Sequence, residues 1–234
     1  MPVLSFIRAT TGRLIKLRQS KNDSIVSNTG NISSKKTNPS RAFTNQENAE
    51  DTITDIAFKE LSVSINRLQI DDKDKKNDQL QKDTVRLYAA IGETIEKQKI
   101  TVTTTLLTNL TVEQRYETSI TIMDEGPHYD LTGWKHYTSD WKPLQPNSNG
   151  IFTGDTYSEK EKTKFPEINI EELKEKVKTQ CGMGWYQLVL HIKSPTDYPG
   201  GVGISRYFLR VAGKRKDNGL SVIKIISIEI PMGC

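Results

Sequence analysis

Cysteine is nearly missing from this chain: Cys181 and Cys234 are the only two in 234 residues. They form no pair or cluster at metal-ligand spacing, which argues against a thiolate metal centre and makes a reducing compartment the default. A Cys181–Cys234 disulfide is the alternative, disfavoured wherever thiols are kept reduced. Histidine is almost as scarce, and His128, His136 and His191 lack the paired spacing of a metal site. Long apolar runs are missing too. Ile225-Ile226 and Leu188-Val189-Leu190 fall far short of the roughly 18 residues that span a bilayer, so any membrane contact is expected from the surface. Arg8, Arg13, Lys16 and Arg18 break the apolar N-terminus before a secretory core can form.

Catalytic patterns are equally thin. Gly200-Gly201-Val202-Gly203 precedes a strand pattern, whereas phosphate-cradling glycines feed a helix N-terminus, so it reads as a glycine-rich connection. Asp124, Glu125, His128 and Asp130 are the one acid and imidazole cluster, and acids beside Gly126-Pro127 ordinarily serve the turn. Cys181 carries no nucleophile signature around it. The expectation is a binding or assembly protein that is not an enzyme and takes no cofactor.

Acidic residues are almost missing from the first 46 positions. Arg8, Arg13, Lys16, Arg18, Lys21, Lys35, Lys36 and Arg41 stand there against Asp23 alone, a charge of +7, and the remainder carries 25 bases and 28 acids, a charge of −3. A basic arm on a mildly acidic body is the footprint of phosphate binding, to nucleic acid or to anionic lipid, with a solubilising tail as the plainer reading. At about 1 kcal/mol per base near an anionic membrane, the arm suffices for salt-sensitive attachment. Leu4, Phe6, Ile7, Leu14, Ile15 and Leu17 interleave with those bases, and residues 2–18 suit an interfacial amphipathic segment despite Gly12. The same apolar residues suit self-association by docking into a neighbouring subunit. Ser20 to Thr44 reads as linker, and the Arg-rich, Ser-rich composition also fits a mitochondrial presequence.

In the body, Leu61, Val63 and Ile65 alternate as in a strand, entered by a short helical turn. Leu80, Val85, Leu87, Tyr88, Ile91 and Ile95 stripe a helix predicted over Gln79–Gln98. Ile100–Val112 and Tyr116–Met123 read as a hairpin turning near Asn109 or Glu113. Asp124–Phe165 reads as a long irregular segment whose Trp134, Tyr137 and Trp141 either pin it to the core or offer a partner surface. A helix over Pro166–Thr179 follows, with acids first and lysines last. Three strands close the pattern, Trp185–Ile192, Ser205–Val211 and Leu220–Ile230. Lys214, Arg215 and Lys216 form a second basic patch at a hairpin tip. The predicted fold is α+β: residues 47–234 as an antiparallel sheet packed with two or three helices, after a flexible basic arm over 1–46.

The stretch Phe58-Lys59-Glu60-Leu61-Ser62-Val63-Ser64-Ile65-Asn66-Arg67 entering the Gln79–Gln98 segment, and Tyr116-Glu117-Thr118-Ser119-Ile120-Thr121-Ile122-Met123-Asp124-Glu125, give a layout that resembles the matrix proteins of rhabdoviruses. The resemblance covers most of the chain in order and size. It implies a virion protein that condenses a nucleocapsid, meets the inner leaflet of a membrane through its basic arm, self-associates and promotes budding. Virion, host cytoplasm, inner membrane surface and nucleus are the places it implies. No PPxY motif is present, and Tyr186-Gln187-Leu188-Val189 and Tyr88-Ala89-Ala90-Ile91 read as core, so recruitment of host sorting machinery is not implied. Two other functions fit the same features. One is a viral coat or movement protein that binds RNA through the arm; the other is an organelle-targeted accessory subunit whose presequence is cleaved.

Overall fold

Residues 52–71 and 83–232 are described by the computed structural model. The arm's bases from Arg8 to Arg41, its apolar residues from Leu4 to Leu17, and Cys234 lie outside the described residues. Alternation sets the first sheet. β1 (Ile53–Ala57) and β2 (Ser62–Asn66) bury every second side chain, Thr54, Ile56, Val63 and Ile65, and pair antiparallel. β4 (Lys99–Thr103) and the short β9 (Phe152–Thr153) complete a four-stranded antiparallel sheet in the order β1-β2-β4-β9.

The larger sheet runs β3 (Thr84–Tyr88), β11 (Ser221–Glu229), β10 (Gly200–Arg215), β5 (Leu107–Met123), β6 (His128–Asp130). β7 (Tyr137–Thr138) and β8 (Lys142–Leu144) also pair with β5, and β3 alone runs parallel to its neighbour. One buried cluster holds Val63, Ile65 and Ile100 of the small sheet together with Tyr116, Tyr207, Leu209, Val211, Ile226 and Ile228 of the large one. Further along β5, on the same face, Ile120 and Ile122 meet Leu173 and Val177 of α2 (Ile170–Cys181) and Val189 of α3 (Met183–Val189). A four-residue helix, α1 (Glu159–Lys162), opens with a capping box between Ser158 and Glu161.

Two bulges keep one face of this long β5–β10 ladder pointed at the core. Ser205 is an extra residue on β10 between the pairs Ile204–Thr118 and Arg206–Glu117. It moves the inward set from the even positions, Val202 and Ile204, to the odd ones, Tyr207, Leu209 and Val211, as the strand passes from the helices to the small sheet. Asn109, at φ 53, is the matching extra residue on β5, between Thr111 and Thr108.

The α+β expectation is corrected. Of the described residues 44% are strand and 14% helix, so two packed sheets make the main core and the helices cover one end only. Residues 84–88 of the predicted Gln79–Gln98 helix form β3: Val85 is buried as a strand residue beside Ile226, while Ile91 is 63% exposed, which a core stripe forbids. The same exposure removes Ile91 from the core assigned to Tyr88–Ile91. The predicted hairpin turn near Asn109 is the bulge in an unbroken 17-residue strand, and the chain turns earlier, where Thr104 Oγ1 donates to the Glu60 carbonyl at 2.7 Å. Trp185–Ile192 begins as helix α3; Trp185, Val189 and Ile192 stand at helical spacing, and its aromatic and branched residues imitate a strand. The helical turn expected before Leu61 is β1.

Candidate functional site

Where β10 turns Tyr207, Leu209 and Val211 inward, Arg206, Phe208 and Arg210 face outward by the alternation of a strand. Antiparallel pairing sets them against Glu117, Arg115 and Glu113 of β5 respectively. The outer face of the large sheet is therefore a ladder of guanidinium, carboxylate and aromatic groups. Arg210 Nε donates to Glu113 Oε2 at 2.6 Å, and this hydrogen bond holds its pKa above the ordinary range. Arg206 donates to Glu117 Oε1 at 3.2 Å and to Glu229 Oε1 at 3.0 Å. Arg86 of β3 extends the ladder, its Nε 3.3 Å from the same Glu229 oxygen.

Arg115 departs from this pattern. It makes no ion pair with a carboxylate among the described residues; its Nε, like that of Arg206, is buried without a hydrogen-bond partner, and Glu117 is the one carboxylate whose field shifts it. Burial pulls its pKa down, and Arg210 pulls in the same direction. A guanidinium starts so far above neutrality that the group stays charged. Its neighbours are rings: the guanidinium carbon lies 4.4 Å from the Trp141 centroid and 4.7 Å from that of Phe208. Arg210 lies 4.4 Å from the Trp141 centroid as well.

A bulge delivers that tryptophan. β7 pairs Thr138 with Glu117, whereas β8 pairs Lys142 with Gln114, so one extra residue sits on the edge segment between them. Ser139 takes up the slack, its Oγ accepting from Tyr116 N and its N donating to the Tyr116 carbonyl, both at 3.0 Å. Trp141 is thereby set beside Arg115 on the outer face, the re-aiming of a side chain that bulges achieve. Trp134 and Tyr137 instead pack against the two cores. The three aromatics of the long segment divide between anchoring and display.

Of the sequence-chosen sites, Lys214 and Arg215 end β10 and Lys216 opens the turn towards β11. Lys214 and Lys216 are exposed, while Arg215 is spent on Asp217 through contacts of 3.0 and 2.8 Å. Around the acid and imidazole cluster, Asp124 Oδ1 accepts from Glu125 N at 2.8 Å and Asp130 Oδ2 accepts from Met232 N at 3.0 Å, with His128 3.6 Å from that oxygen. These acids satisfy backbone. No group of His, Cys, Asp and Glu is arranged to hold a metal among the described residues. Burial pushes the Cys181 thiol up, away from the reactive thiolate. Among the described residues no helix is long and apolar enough to cross a membrane.

Sequence reading missed Arg86, Arg115, Arg206 and Arg210, because linear charge counting finds runs, and these four are spread over three strands, β3, β5 and β10. The signal was present as alternation: Glu113, Arg115, Glu117 and Arg206, Phe208, Arg210 repeat at the strand period. No family model, curated protein or solved structure matches the chain.

Proposed function

We propose that the protein is a non-catalytic structural protein of the matrix type, which bridges a nucleocapsid and a membrane and self-associates during virion assembly. The observation that carries this reading is the division of charge, +7 over residues 1–46 against −3 over the rest. Such a chain meets a polyanion through its arm while its body stays free of nonspecific attraction. The β body supports the same reading, since its outward charges are largely matched within the ladder. Lys214 and Lys216 add a small exposed cationic tip. Co-sedimentation of the full chain with anionic liposomes, and separately with single-stranded RNA, across a salt series tests it. Salt-sensitive binding to liposomes with self-association on them is the expected result; binding to neither ligand sinks the proposal.

The coat or movement reading keeps one specific support, the arginine and aromatic face of the body. Preference for RNA with no affinity for liposomes moves the assignment there.

A further inference from the structure

We infer that the outer face of the large sheet is a single-stranded RNA subsite in which Arg115 takes a backbone phosphate and Trp141 and Phe208 serve as stacking surface. The inference rests on the assembly reading only in taking the partner to be polyanionic, and it places a ligand on the body, where that reading has none.

Charge matching singles out Arg115. The face presents Arg86, Arg115, Arg206 and Arg210 against Glu113, Glu117 and Glu229. Glu113 is taken by Arg210 at 2.6 Å, and Glu117 and Glu229 are shared by Arg206 and Arg86 at 3.0–3.3 Å. One guanidinium is left without a counter-charge, partly stripped of water, its Nε without an acceptor. A desolvated cation held between two rings is costly to keep, and an oxyanion that supplies acceptors in the guanidinium plane relieves that cost.

Aromatic composition points to nucleic acid among the oxyanion carriers. Rings beside a guanidinium on an open sheet face are how single strands are bound without sequence preference, base on ring and phosphate on cation. A membrane surface fits less well: Trp141 lies against Arg115 and Arg210 and Phe208 against Arg115, so these rings do not project as interfacial anchors do. A single uncompensated cation also sets the size of the effect, about one phosphate contact.

The test uses the full chain with a short oligouridylate carrying 5-iodouridine, photo-crosslinked and mapped by mass spectrometry, alongside affinity measured over a salt series. Crosslinks are expected at Trp141 or Phe208. Trp141→Ala is expected to weaken binding about fivefold to a hundredfold, the range for losing one stacked base, with Trp141→Phe retaining most of it. Arg115→Gln is expected to lower the slope of log affinity against log salt by about 0.7, the contribution of one phosphate on a single strand. Melting curves confirm that each variant is folded, and Trp141→Phe with the crosslink map stands if Arg115→Gln fails to fold. Crosslinks confined to residues 1–46, with affinity and slope unchanged in the folded variants, overturn the inference and leave the arm's role intact. Equal competition by poly-glutamate overturns it in favour of an acidic protein partner. An arm variant that loses liposome binding yet keeps the Trp141 crosslink to RNA separates failure of the assembly reading from failure here.

Discussion

The ammonium of Lys224, on β11, lies 2.8 Å from the carboxylate of Glu60, in the turn between β1 and β2. It joins the two sheets by charge at a position that shares the core face with Ile226 and Ile228. The lysine side chain is 2% exposed and Glu60 10%. Asp83, more open to water, lies 2.6 Å from the same nitrogen. Burial opposes the ammonium, and Asp83 and Glu60 more than offset it, so its pKa stands above the ordinary range.

Removing the lysine alone strands Glu60. Lys224→Met is expected to destabilise the body by about 3 kcal/mol, and Lys224→Met with Glu60→Met to recover most of that, since a buried pair replaced whole by apolar groups is close to neutral. Urea unfolding of the two variants checks this; equal losses in both contradict it. The pH dependence has a definite sign. The hydrogen bond with Lys224 depresses the Glu60 pKa, so its contribution is present above the ordinary carboxylate range and is lost as pH falls through the depressed value. In Lys224→Met the buried carboxyl is left unpaired, its pKa rises, and acid is expected to stabilise the variant through this group.

Arg115→Met is expected to raise the melting temperature. The substitution keeps a long side chain between Trp141 and Phe208 and removes an unpaired, desolvated charge, a gain of about 1 kcal/mol and hence roughly 2–4 °C for a domain of this size. Arg210→Met, which breaks the contact with Glu113, is expected to lower it. Calorimetry of both distinguishes a charge kept at the expense of stability from one kept for stability.

Three tyrosines are expected to ionise late. Burial pushes the Tyr116 pKa up to about 12, aided by Tyr137 and Glu161, and burial raises Tyr157 and Tyr207 further. Near pH 11 Tyr116, Tyr157 and Tyr207 are therefore expected to stay largely protonated in the folded protein, read as tyrosinate absorbance that appears only at higher pH or on unfolding. These groups hold their protons longer folded than unfolded, so their contribution to stability is complete below about pH 10 and declines above it. The absence of any late-ionising absorbance contradicts the packing of Tyr116 against Tyr157, whose centroids lie 4.3 Å apart.

Replacing Arg8, Arg13, Lys16 and Arg18 by Ser is expected to abolish binding to anionic liposomes and leave the melting temperature of the body unchanged. On single-stranded RNA each contacting base removed is expected to lower the salt slope by about 0.7. Unchanged liposome binding, in a variant whose melting temperature matches that of the parent chain, contradicts the role proposed for these bases.

Local alternation was legible wherever one strand face alone is buried. Leu61, Val63 and Ile65, then Tyr207, Leu209 and Val211, are examples, and Pro166–Thr179 announced α2 through its charge order. Gln79–Gln98 misled because Val85, Leu87 and Tyr88 fit both periods, and the decision is made by Ile225–Glu229, some 140 positions away, where β3 finds its parallel partner. The bulges at Asn109 and Ser205 erased the parity that a strand reading relies on. For the site, the arm's bases were visible as a run, whereas Arg115 acquires its meaning from Glu113 and Glu117 being taken by arginines of β10. That pairing is a property of register, not of spacing along the chain.

The parallel seat of β3 beside β11 also governs the order of events during synthesis. β5 has no neighbour on its β10 side, and β3 no strand partner beyond the bridge of Ile70 to Ala89 at its end, until residues 200–229 have been made. The large sheet therefore waits for its central strands while β3 and β5 are already made. A nascent chain stalled before Ser221 presents β3 with its β11 edge unpaired, the state in which this body is most open to edge-to-edge association.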